Sequence, residues 1–259
     1  MRYVRKGAEP RALLNWKSLN QATPQNLKYG LAGFPAEQVR CELLKQQHYL
    51  CAYTMIRLKT PAECDATNKT RKSCHIEHIL PQNRGDLVSR KAAGEDVKDV
   101  INFSGGEDID FTNMIACFPP SADSIHCDYG ASYKGDYDPY DNPNFISPLN
   151  LSVEIHFQFL ADGSIEALTD KGVETIEALQ LNHIELRHRR ERVITGAIYP
   201  RGVDRPISAA EARRLADEVL LPNSNGCLRE FCIAIRQVAL KHAERQERRA
   251  RRIAGQGRR

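Results

Sequence analysis

The residues with the most chemical potential lie in one stretch, Ser73-Cys-His-Ile-Glu-His-Ile-Leu-Pro-Gln82. His75, Glu77 and His78 are interleaved there with apolar Ile76, Ile79 and Leu80. A carboxylate beside an imidazole suits one task well: the carboxylate holds a divalent cation while the histidine takes a proton from water. The apolar residues predict a short, largely buried strand, and Pro81, with no N–H to donate, marks its end. Buried strands rarely carry two histidines and a glutamate unless a site uses them. Ordinary histidines on a solvated strand edge are the plainer alternative.

Downstream, Asn113 precedes the short apolar run Met114-Ile-Ala-Cys117. Its amide can clamp a loop through backbone hydrogen bonds, although taken alone it reads as a turn residue. Further on, His126-Cys127-Asp128-Tyr-Gly-Ala-Ser-Tyr-Lys134-Gly-Asp136 offers Lys134 to a phosphate. Tyr129, Tyr133 and Tyr137 could stack on bases, or pack as a tyrosine-rich turn region on their own domain.

The elements that must position these groups are legible in outline. Residues 1–34 read as polar and irregular, punctuated by Pro10, Pro24, Gly30 and Gly33, with Leu13, Leu14 and Trp16 as anchors. Val39, Leu43 and Leu44 predict a helix over 36–50, and 83–108 reads as a polar insertion. Strict alternation over 151–159 predicts a half-buried strand with His156 on its solvated face. Asp162-Gly163 then turns the chain into a hairpin partner. Helices follow over 171–179 and from Asn182, paired with Glu185, toward Ile198. Ser208 and Glu211 make a second capping box, and a last long helix starts near Cys227 with Leu228, Phe231, Cys232, Ile235 and Val238 on one face. The cluster Arg187, His188, Arg189, Arg190 and Arg192 reads as a solvated face, with Arg187 and Arg190 its candidates for nucleic-acid contact.

A chain of 259 residues can bury a sizeable core, and 27% charged residues is ordinary for a globular protein. No apolar run approaches the roughly 20 residues a bilayer span needs. The basic opening Met1-Arg-Tyr-Val-Arg-Lys6 lacks an apolar stretch behind it, so a cytoplasmic location is expected. The net charge of +4 is mild but uneven, with seven arginines against Glu244 and Glu247 between Glu244 and Arg259. Such an end suits an anionic partner such as nucleic acid, or is simply a solvated tail. Eight cysteines in such a chain read as thiols or metal ligands. Cys51 stands where a zinc knuckle would begin, with Cys64, Cys74, Cys117 and Cys127 as partners, but Thr54 occupies the second cysteine's place. Buried reduced cysteines are the plainer reading.

Taken in order, Cys51-Ala-Tyr, His75-Ile-Glu77-His78-Ile-Leu-Pro-Gln82, Asn113 and Cys127…Lys134-Gly-Asp136 resemble the HNH endonucleases. Within them the chain is similar to the group found in bacterial retron and Septu anti-phage systems. The likeness extends to the opening Met1-Arg-Tyr-Val-Arg-Lys-Gly-Ala-Glu-Pro10 and to 157–163 and 179–192, and so covers most of 1–195. The run of predicted strands and helices is that of an α+β chain, and the resemblance implies a ββα-metal (HNH) nuclease core at 36–147, between an N-terminal arm at 1–35 and a strand hairpin with a helical C-terminal extension at 148–259.

The resemblance further implies His78 as general base, Glu77 as holder of Mg²⁺ or another divalent cation, and Asn113 as the residue fixing the loop that orients His78. His75 becomes a ligand or the group behind one, and Cys51, Cys117 and Cys127 become candidates for structural Zn²⁺. The implied partner is an ATPase of the ABC or structural-maintenance type, joined in a retron by a reverse transcriptase and its DNA–RNA product. The sequence departs from the pattern at two positions. Ala131 stands where many relatives have asparagine or histidine, leaving His126 or Asp128 to supply that ligand, and Thr54 weakens the zinc site. DNA is the first substrate expected, with RNA, including tRNA, the second. A non-catalytic nucleic-acid or partner-binding module that kept the fold is the alternative of another class.

Overall fold

The computed structural model describes residues 1–31, 33–67, 74–120, 127–200 and 205–256. Ser73 and His126 lie outside them, as do Arg258 and Arg259 of the basic end. Within the described residues the chain is mixed α+β, with two small antiparallel sheets.

The first 34 residues are more ordered than their composition predicts. Helix α1 (Arg11–Asn20) follows Pro10, whose missing N–H costs nothing at a helix start. It buries Leu13 and Trp16 and leaves Leu14 half exposed. Prolines and glycines here bracket a helix instead of excluding one. Trp16 then meets Phe34 edge-on at 5.2 Å, and Phe34 meets Tyr29 at 4.8 Å, which pins the following segment down.

Helix α2 (Ala36–Gln46) buries Val39, Leu43 and Leu44 as one stripe. It stops short of residue 50 because His48 and Tyr49 adopt left-handed backbone, with φ of 49° and 59°. That turn sends 50–56 into the core. After a short α3 (Pro61–Thr67), strand β1 (His75–His78) pairs antiparallel with β2 (Met114–Cys117), His75 opposite Cys117 and His78 opposite Met114. All four residues of β2 are buried. Gln47 makes this tolerable: its Nε2 donates to the Ala116 carbonyl at 2.8 Å and its Oε1 accepts from the Ala116 N–H at 2.7 Å. The side-chain amide stands in for a third strand. The insertion between the strands is not all loop, since it contains helix α4 (Arg84–Ala92). Beyond β2 comes the one-turn helix α5 (Ala131–Lys134).

In the C-terminal half, β3 (Phe157–Phe159) and β4 (Ile165–Ala167) form the hairpin expected at Asp162-Gly163. Alternation overstated the strand, however. Residues Val153–His156 form a 3-10 turn, and Leu151 and Ile155 are exposed. The cause is local: Asn150 Oδ1 accepts from both the N–H and the hydroxyl of Ser152, an alternative to ladder bonding. His156 is buried rather than solvated, its Nδ1 2.6 Å from Thr169 Oγ1. That same hydroxyl oxygen accepts from the Gly172 N–H and caps α6 (Asp170–Ala178).

Helix α7 (Ile184–Ile198) begins two residues after Asn182, which is not its cap. The Asn182 amide instead bonds the N–H and carbonyl of Ile165 at 2.9 and 2.8 Å, tying β4 to the helix approach. Helix α8 (Ala209–Glu218) carries the expected Ser208/Glu211 capping box. Helix α9 (Cys232–Gln256) starts later than residue 227, because Phe231 is left-handed at φ 53°. One apolar core runs from Met1 to Ala243. Among the described residues no helix is long and apolar enough to cross a membrane.

Gly163 shows how closely the hairpin meets α7. Its φ is +78°, and a Cβ there would sit 2.1 Å from the Arg187 carbonyl oxygen. Gly163→Ala combines a left-handed backbone with a backbone overlap, and is expected to cost ~3 kcal/mol or more. Urea unfolding checks this; a loss below ~1 kcal/mol would refute the close approach.

Candidate active site

Strand β1 is too short to hide its polar residues. Period-two alternation turns Ile76 and His78 to the buried face, and His75 and Glu77 to a half-buried one. The strand ends at His78, and a cleft opens at that end with a volume of about 640 Å³. Glu77 and His78 both line it, with Gln82, Asp86, Asp108 and Asp136 around them and Lys28 and Tyr29 from the N-terminal segment. Adjacent residues of opposite face therefore share one cavity, because the strand ends at His78 and the cleft lies across that end.

His78 is 3% exposed. Its Nε2 lies 2.8 Å from the Asp108 carbonyl oxygen, which can only accept, so Nε2 carries the proton. Nδ1 then holds the lone pair and faces Gln82 Nε2 at 2.9 Å. Burial, its largest influence, pushes the imidazole below its ordinary value despite the raising effects of the Asp108 carbonyl and the Glu77 charge. The ring is thus neutral at pH 7 and able to take a proton. Tyr29 packs against it, ring centroids 4.7 Å apart and nearly perpendicular.

Asn113, buried at the start of β2, uses its whole side chain as a clamp. Oδ1 accepts from the Leu80 N–H at 2.7 Å, while Nδ2 donates to the carbonyls of Leu80 and Glu107 at 3.0 and 2.9 Å. It thereby joins the turn after His78 to the loop whose Asp108 carbonyl orients that histidine. Asn113→Ala leaves three backbone groups without these partners and loosens the His78 ring. Turnover is expected to fall ~10–100-fold, as losses of orienting hydrogen bonds do at comparable sites, with substrate affinity little changed. A kcat equal to wild type in a steady-state assay would exclude the clamp from the chemistry.

Glu77 Oε1 is buried with the Lys134 ammonium 3.1 Å away, while Oε2 lies 3.8 Å from His75 Nε2. His75 donates through Nδ1 to the Pro119 carbonyl at 2.5 Å, and its Nε2 faces Glu77 Oε2. Burial lowers the His75 value, but the carboxylate and the Pro119 carbonyl together outweigh it and the net direction is upward. The cleft lining sets four carboxylates, Glu77, Asp86, Asp108 and Asp136, against Lys28. Lys28 is itself paired with Asp86 at 2.8 Å. Such a mouth favours a cation over a bare anion.

Several expected contacts are corrected. Lys134 does not reach toward a phosphate: its side chain is fully buried, with Nζ 3.0 Å from the His78 carbonyl oxygen and 3.1 Å from Glu77 Oε1. Arg190 is 1% exposed and donates to the Gly163 and Leu181 carbonyls at 2.7 and 2.6 Å, so it braces the hairpin and cannot meet nucleic acid. Arg187 is partly exposed but paired with Asp162 at 2.5 Å. Asp128 is exposed and does not line the cleft.

Of the zinc candidates, the structure brings Cys51 and Cys117 into contact, while Cys127 Sγ donates to the Tyr129 carbonyl at 3.4 Å. Burial raises the Cys51 value, but hydrogen bonds from the Cys117 thiol, the Thr54 hydroxyl and backbone N–H groups win and bring it to about 6. Thr54, at the place of a second knuckle cysteine, thus serves Cys51 as a donor. Among the described residues no three His, Cys, Asp or Glu side chains gather as a ready metal cage.

Sequence reasoning missed Asp108, which acts through its carbonyl, and Tyr29 and Lys28, which lie far from the motif in the chain. A backbone acceptor leaves no residue-type signal. Gln82 lies inside the motif, but its contact with His78 Nδ1 is set by the fold. No protein-family model matches the chain, and no curated protein matches it.

Proposed function

We propose that this chain is a metal-dependent endonuclease of the ββα-metal (HNH) kind, hydrolysing phosphodiester bonds of nucleic acid, DNA first and RNA or tRNA second. The observation that carries the reading is the His78 tautomer: Nε2–H is committed to the Asp108 carbonyl, and the Nδ1 lone pair is held in a cleft it shares with Glu77. The antiparallel pair β1–β2, with α4 inserted between its strands and the one-turn α5 after it, is compatible with a ββα reading of the core. The likeness in sequence to retron and Septu nucleases supports a role as effector of bacterial anti-phage defence, controlled by an ATPase of the ABC or structural-maintenance type.

The residues fit a Mg²⁺ ion. Glu77 brings a hard carboxylate whose Oε1 faces the Lys134 ammonium at 3.1 Å and whose Oε2 faces His75 Nε2 at 3.8 Å, and Mg²⁺ accepts one or two protein ligands with water and substrate phosphates completing its shell. Glu77 and His75 would hold it. When bound, the ion neutralises charge on the phosphate and the leaving oxygen. His78 takes the proton from the attacking water at Nδ1 once Gln82 gives way to that water. The Asp108 carbonyl accepts from Nε2 before and after, so the ring keeps its orientation as it becomes cationic. Asn113 holds the two loops that set this geometry.

The test incubates wild-type and His78→Ala protein with plasmid DNA and with total tRNA, each with Mg²⁺ or EDTA. Metal-dependent cutting lost in the variant supports the reading and names the polymer. A second reading, a non-catalytic binding module, is favoured by Ala131, which is buried and brings no ligand. It predicts retained nucleic-acid binding without turnover, with and without the ATPase partner.

A further inference from the structure

A fully buried lysine with one carboxylate in reach demands a reason, because burying an ammonium is costly unless its partner is fixed. Lys134 is such a residue, at 0% side-chain exposure. The chain goes to some length to deliver it. Helix α5 is a single turn between Gly130 and Gly135, both at positive φ, and Gly130 is anchored by its N–H to the Leu179 carbonyl at 2.7 Å. Gly130 also lies so near Thr54 that a Cβ would touch its methyl at 3.0 Å. The ammonium then lies 3.1 Å from Glu77 Oε1 and 3.0 Å from the His78 carbonyl oxygen.

We propose that Lys134 is a resident cation that competes with a divalent metal for Glu77 and thereby sets the metal affinity of the cleft. This rests on the reading that Glu77 holds the metal. Two positive charges cannot share one oxygen at contact distance without strong repulsion in a poorly hydrated site. Lys134 also cannot leave easily, since its second bond is to backbone and its stem is buried. The carboxylate is therefore half-neutralised before any ion arrives. A divalent ion binds well only when substrate phosphate adds negative charge, which couples metal uptake to the presence of nucleic acid. Lys134 is in this sense a positioning residue: it touches Glu77 and the His78 backbone, not the reacting atoms.

The experiment measures Mn²⁺ binding to the full chain without nucleic acid, by electron paramagnetic resonance of free Mn²⁺, for wild type, Lys134→Met, Glu77→Gln and the double variant. The expected result is weak binding by wild type, at least tenfold tighter binding by Lys134→Met, and loss of that gain in the double variant. A merely structural lysine would not produce a gain of affinity. Lys134→Gln, which keeps a donor for the His78 carbonyl, covers the case in which methionine prevents folding, and near-ultraviolet circular dichroism reports the fold. Unchanged Mn²⁺ affinity in both neutral variants overturns the inference. If Glu77→Gln still weakens wild-type binding, Glu77 remains the metal holder and only the role of Lys134 falls. If Glu77→Gln changes nothing either, the assignment of Glu77 falls with it.

Discussion

Replacing His78 with alanine is expected to lower phosphodiester cleavage by about 10³-fold, within the range that a positioned general base contributes. The size follows from how fully the structure commits this ring. Its Nε2 proton is held by the Asp108 carbonyl, its Nδ1 lone pair faces the cleft through Gln82, and Tyr29 closes one side. Among the cleft residues it is the imidazole whose environment keeps it neutral at pH 7. The measurement is an initial rate on plasmid DNA and tRNA with Mg²⁺, with circular dichroism as the fold control. Cleavage at the wild-type rate would remove His78 from the mechanism. Equal inactivity of both proteins, with the ATPase partner present, would favour the binding-module reading.

Arg84→Met is expected to cost ~3–5 kcal/mol of stability, the range for breaking a buried ion pair by removing one partner. Arg84 is 1% exposed and lies at the centre of a charge cluster. Its Nε donates to Glu107 Oε2 at 2.6 Å, its Nη1 to the Asp138 carboxylate, and its Nη2 to the Ile101 carbonyl at 2.5 Å. Losing the guanidinium strands two buried carboxylates, and methionine fills the volume without restoring any bond. The cluster also bears on the site. Glu107 is the residue whose carbonyl Asn113 binds, and Asp108 next to it orients His78. Denaturant unfolding reads the loss. Adding Glu107→Gln and Asp138→Asn to Arg84→Met should recover part of it, since no unpaired charge is then buried. A single variant within ~1 kcal/mol of wild type would show that the cluster is solvated.

How much of this was legible in the chain follows from how local each signal was. The Glu77-His78 pair and its short strand could be read directly, because alternation is a property of neighbouring residues, although the strand stops at His78 and not at Pro81. The Ser208/Glu211 cap and the Asp162-Gly163 hairpin were legible for the same reason. Local reading failed where a competing local bond or a distant partner decided the outcome. The Asn150–Ser152 turn cut the alternating strand to three residues. Asn182 left its cap position to tie down Ile165.

The sequence by itself determined that an imidazole, a carboxylate and a downstream amide would lie near one strand pair. Only the tertiary structure decided which nitrogen of His78 is free, since that depends on the Asp108 carbonyl 30 residues away. It alone decided that Lys134 and Arg190 are internal braces, because burial of a charged side chain is set by what the whole chain packs around it. A cation written on a surface-like segment carries no mark of the carboxylate or carbonyls that will enclose it, and those partners come together only when the chain folds.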